Sequence, residues 1–131
     1  MNMSDLMWYL GEVPLSKRHN DDLDFSSIIV YHVTKPENVA GIKRDGIKAK
    51  SSRQSYDRPN AVYFFADKDD ITPDNIGILG LSDGYSVIKV RIPAAEVIKR
   101  MVWDGLFNAT FTASYSAVQF FGDIPTTWII K

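Results

Sequence analysis

Few side chains in this sequence can do chemistry, and that scarcity narrows the field. There is no cysteine, and the only histidines are His19 and His32. Disulfides, thiolate zinc sites and a cysteine nucleophile are therefore excluded, as are multi-histidine metal sites and relays of several imidazoles. Of the two histidines, His32 falls near the end of an apolar run, SIIVYHV, and two further apolar runs carry polar side chains, AVYFFA with Tyr63 and YSAVQFF with Gln119. A tyrosine ring offers a flat stacking surface with a polar edge. An imidazole and a primary amide each offer donors and acceptors. On a strand, Tyr115, Ala117, Gln119 and Phe121 share one face. A long amide among aromatic rings costs stability unless its groups are bonded, so a ligand or a polar network belongs at Gln119. His32 also reads as a hydrogen-bonded structural residue, and Tyr63 as core packing.

The common catalytic and binding signatures are absent: no GxGxxG after a strand, no GxxxxGK[ST], no HExxH and no GxSxG. The acidic run Asp67, Asp69, Asp70 and Asp74 lacks the glycine and terminal glutamate of a calcium loop and reads as a solvated loop. Between residues 43 and 58 six cations (Lys43, Arg44, Lys48, Lys50, Arg53, Arg58) face two acids (Asp45, Asp57), a local charge of +4. That stretch suits phosphate contacts or a plain solvated helix end and loop. Over the whole chain, 15 Lys and Arg against 16 Asp and Glu leave a net charge of −1, which supplies no global field for a polyanion or a membrane surface.

With 131 residues, 45% hydrophobic and 24% charged, the chain has the composition of one globular domain. Residues 1–24 read as an N-terminal extension that ends in a polar linker, and 25–131 as the domain. No signal sequence or apolar run of transmembrane length stands out, so a soluble, cytoplasmic protein is expected. Ser27–Val33 and Ala61–Ala66 read as buried strands, Tyr85–Ile92 as a half-buried one, and Met101–Trp103, Tyr115–Phe121 and Thr126–Ile130 as further strands. Thr34 and Glu37 match a capping box for one clear amphipathic helix over 35–45, which Asp45-Gly46 stops. A short helix is expected within 75–84, and a helical turn opens at Pro93. Five or six strands with one clear helix make an α+β pattern.

The order of these pieces carries a resemblance. YHVT ends a first strand, a helix closes on DGI, VYFF follows, and YSAVQFFGDIP comes late. Together, over about residues 28–131, they resemble the ADP-ribosyltransferase superfamily of the diphtheria-toxin-like type. The resemblance implies a split pair of mainly antiparallel sheets with NAD held between them and a His, Tyr, Glu set. Carried over by position, His32 bonds the adenosine ribose, the Val33 backbone faces the nicotinamide amide, Thr34 fills the small hydroxyl position, and Tyr63 stacks on nicotinamide. Arg53 and Arg58 become candidates for the pyrophosphate or the target. Where the family most often has Glu, this chain has Gln119.

A carboxylate there would accept the ribose hydroxyl proton and offset the positive charge that develops as the glycosidic bond breaks. Gln keeps the length but is neutral. The resemblance thus implies an NAD-dependent transferase that passes ADP-ribose to a macromolecule, without metal or membrane. A protein acceptor is favoured over a nucleic acid. Small members of this kind often act as toxins or phage effectors in a host cytoplasm. The alternative is an inactive relative that binds and blocks a partner protein, which fits Gln119 and the aromatic Trp8-Tyr9 segment.

Overall fold

Alternation of apolar and polar side chains sets one strand, and a continuous apolar run sets its neighbour. In β3 (Ser86–Pro93) Ile88, Val90 and Ile92 are buried while Val87, Lys89 and Arg91 face solvent, the two-residue period of a sheet with one covered face. Strand β1 (Ser27–Thr34) buries Ile28 and Val30 on the same side. The two pair antiparallel along their whole lengths, from Ser27↔Pro93 to Thr34↔Ser86. A computed structural model of the chain describes residues 26–49, 60–103 and 116–130. Within them β2 (Val62–Phe65), β4 (Met101–Trp103) and β5 (Ala117–Phe120) complete one antiparallel sheet in the order β3-β1-β2-β5-β4. The protein is α+β, and its described strands form one sheet where two were expected.

That sheet is unevenly stitched. β1 and β3 share eight register pairs, β2 and β5 four, and β4 and β5 three, but β1 and β2 meet at the single pair Tyr31↔Phe65. The covered face of both halves supplies the core, in which Val30, Val90, Val118 and Phe120 are fully buried. Each such side chain contributes about 1.5–3 kcal/mol of transfer free energy. Trp128 closes one end of this layer, edge-on to Phe120 with ring centroids 5.8 Å apart.

Helices are short and lie between strands: α1 (Val39–Asp45), α2 (Pro73–Ile78) and α3 (Ala94–Arg100). The expected 35–45 helix divides into a 3-10 turn at Pro36–Asn38 and α1. The Thr34–Glu37 capping box does not form, because Thr34 is the buried last residue of β1 and its Oγ1 accepts a 3.1 Å bond from Asn38 Nδ2. Nor is the acidic run a plain solvated loop. Asp67 caps a 3-10 turn at Lys68–Asp70 by accepting from Asp69 N–H, and the Asp70 carboxylate accepts from the backbone N–H and hydroxyl of Ser116. Thr72 caps α2, accepting from Asn75 N–H at 3.2 Å. The expected strand over 126–130 is instead a 3-10 turn at Thr126–Trp128 with one bridge, Val90↔Ile129. Residues 1–24, Lys50, Arg53 and Arg58 lie outside the described residues.

Gly46 ends α1 as the sequence indicates. Its φ of 83° lies in the region that favours glycine, and its N–H bonds the Ile42 carbonyl at 2.8 Å. It also lies against the turn after β5: a Cβ on residue 46 would stand 2.2 Å from the Ile124 carbonyl oxygen. Next to it, Ile47 and Ile124 exchange both backbone bonds, at 2.9 and 2.8 Å. Gly46→Ala is expected to cost about 2–3 kcal/mol through backbone strain and this contact, read as a lower urea midpoint at unchanged slope. A midpoint equal to that of the wild type would show that the contact yields freely.

Candidate functional site at the strand seam

Where β1 and β2 part, the chain builds a cleft of about 1050 Å³. The end of β1 (His32 to Lys35) forms one side and the start of β2 (Ala61 to Tyr63) another, with α1 and the segment through Lys48 as the outer wall. The volume is at the upper end for small-molecule and cofactor sites, which run to about 1,000 Å³. Among the described residues there is no group of His, Asp and Glu able to hold a metal ion, and no helix long and apolar enough to cross a membrane.

His32 bridges the seam. Continuing the register past Tyr31↔Phe65 sets His32 opposite Phe64, and the two rings meet edge-on with centroids 5.8 Å apart. The strands no longer pair here, and the His32 side chain replaces the missing backbone bond: Nδ1 lies 2.8 Å from the Tyr63 carbonyl oxygen. A carbonyl only accepts, so Nδ1 carries the hydrogen, and in the neutral ring Nε2 is the acceptor.

Behind this bond stands a pair of side chains on neighbouring strands. Tyr63 and Gln119 are direct cross-strand partners, so their side chains project from the same face, the one opposite the core. Val102 is the partner of Gln119 on its other side. Tyr63 is half-buried and lines the cleft, whereas Gln119 is only 2% exposed and does not. Its amide oxygen has no hydrogen-bond partner among the described residues. An unbonded buried acceptor costs about 1–3 kcal/mol.

Of the residues picked out from the sequence, His32, Val33, Thr34 and Tyr63 come together at the cleft, with Gln119 one strand behind them. Sequence reasoning missed the outer wall and what holds it. Asp123 accepts from Ala49 N–H at 2.9 Å and pairs with Lys48 at 3.8 Å. These partners lie more than seventy positions apart, and no local pattern announces them. The cleft margin is mixed in charge, with Lys35 and Lys48 against Glu37 and Asp45. The hydrogen bond from Arg44, seconded by its charge, lowers the Asp45 carboxyl below its ordinary value.

Two substitutions separate these structural roles. His32→Phe keeps a ring against Phe64 but leaves the Tyr63 carbonyl unbonded, and a loss of about 1–3 kcal/mol in chemical denaturation is expected. Gln119→Met removes the orphaned acceptor at similar volume, so its stability should equal or exceed that of the wild type. A large loss in Gln119→Met would mean that the amide is well bonded in the folded chain. No family model and no curated protein matches this sequence, so the chemistry of the cleft has to be read from its own residues.

Proposed function

We propose that this chain is an NAD-dependent ADP-ribosyltransferase that releases nicotinamide and passes ADP-ribose to a macromolecular target. The observation that carries the reading is the His32 to Tyr63 bond across the seam, beside a dinucleotide-sized cleft and one strand from Gln119. We read the two halves of the sheet, β3-β1 and β2-β5-β4, as the split pair of the ADP-ribosyltransferase fold. The single pair between them is the point of division.

In this reading His32 Nε2 accepts from a ribose hydroxyl, and the Tyr63 ring lies along the nicotinamide. The bond between nicotinamide nitrogen and ribose breaks with its electron pair on nicotinamide, the acceptor nucleophile bonds the same ribose carbon, and its proton leaves to solvent. Positive charge develops on the ribose in between. Gln119 presents an acceptor oxygen that orients the ribose, but it lacks the full negative charge that would stabilise this state. Its neutrality also favours a second reading, a module that binds and blocks a partner protein without cleaving NAD.

Incubation with NAD labelled in its adenylate part and a cell extract tests the first reading. Wild type is expected to label a macromolecule, and His32→Ala and Gln119→Ala to lose the label. No label, together with no rise in melting temperature on adding NAD, would rule out the transferase and leave the binding module. Gln119→Glu is expected to raise NAD cleavage. Burial lifts the folded-state pKa of the new carboxyl above the ordinary value of about 4.3. The part of this variant's stability that depends on the neutral carboxyl is thus fully present below that value and is lost as pH rises through the folded-state pKa. Urea midpoints measured from acid to neutral pH report that loss, and a flat profile would place the carboxyl in water.

A further inference from the structure

The side of β1 and β3 away from the core carries a second feature, independent of the cleft. Along β3 and the residue before it, Tyr85, Val87, Lys89 and Arg91 alternate outward, and all four are exposed, Tyr85 by 45% and Val87 by 40%. In the antiparallel register Tyr31 stands beside Lys89 and Ile29 beside Arg91, both half-buried on the same face. Neither cation has a carboxylate partner among the described residues; Arg91 bonds only the Ser27 hydroxyl, at 3.3 Å. No acid occurs from Ser26 to Pro36 or from Gly84 to Ala95, so neither strand nor its immediate flanks offers one. The result is a flat cationic surface with two tyrosines.

We propose that this face binds single-stranded nucleic acid, with Lys89 and Arg91 on neighbouring backbone phosphates and Tyr85 and Tyr31 as stacking surfaces for bases. Residues two apart on a strand project about 6.7 Å apart, close to the separation of neighbouring phosphates in an extended single strand. Aromatic rings accept any unstacked base, whereas a duplex keeps its base faces covered. A net charge of −1 gives no long-range attraction, so the site is short, weak and salt-sensitive. DNA and RNA share this chemistry, and the binding does not depend on cleavage of NAD.

Fluorescence anisotropy with the full chain and labelled oligothymidylate or oligouridylate of about twelve nucleotides tests it. Two phosphate contacts predict a slope of log affinity against log salt of about −1.4. The double variant Lys89→Gln, Arg91→Gln should flatten that slope toward zero. Tyr85→Ala should weaken binding about fivefold or more, while Tyr85→Phe preserves it. Both cations and Tyr85 face solvent, so an unchanged melting temperature certifies the variants as folded. Tighter binding of either polymer supports the proposal and identifies the sugar preferred. Unchanged affinity in the double variant would overturn it, as would a preference for duplex of equal length, binding to phosphatidylserine vesicles in place of oligonucleotides, or no binding at about 50 mM salt.

Discussion

The arrangement of this protein depends on how one side chain manages an unfinished strand pairing. Past Tyr31↔Phe65 the backbones of β1 and β2 separate, and a carbonyl left there without a partner would be costly to bury. The His32 imidazole takes that position and bonds the Tyr63 carbonyl. Because the bond is made by a side chain, the backbones need not approach to ladder distance, and the gap stays open as a cleft. The same bond fixes which ring nitrogen carries hydrogen. The fold and the chemistry of His32 therefore come from one contact.

Much of the sheet was legible in the chain because its signals are local. The alternation of β3 appears directly in YSVIKVRI, and the buried runs of β1, β2 and β5 are continuous apolar stretches. Pro93 marks the start of α3. Legibility stops where long-range contacts decide. Thr34 and Glu37 have the spacing of a capping box, but burial of Thr34 within β1 redirects its hydroxyl to Asn38. Thr126–Ile130 has strand-like residues, but only Ile129 reaches the sheet, at Val90. Asp70 looks like part of a solvated run and instead anchors the backbone entering β5.

The site divides in the same way. His32 is visible as an imidazole near the end of an apolar strand and Tyr63 only through the resemblance in the order of the pieces; both line the cleft. The outer wall does not stand out, since its residues are ordinary helix and loop types. Gln119 is an intermediate case. Its polar character within an aromatic strand was visible, but its depth of burial and its unbonded oxygen were not. A buried acceptor without a donor runs against the consistency expected of a sequence selected only to fold, and such exceptions concentrate where a protein does something besides folding.

The two backbone bonds between Ile47 and Ile124 close a loop that takes in most of the sheet. Closing so long a loop carries an entropic cost that early local contacts do not offset. During synthesis, moreover, residue 124 emerges after every strand has left the ribosome, so the wall of the cleft has nothing to lean on until then. A chain that ends before residue 124 carries β1 and its histidine but lacks the two bonds that tie Ile47 to the turn after β5. The backbone support of the outer wall is therefore completed only late in synthesis, as a property of chain connectivity.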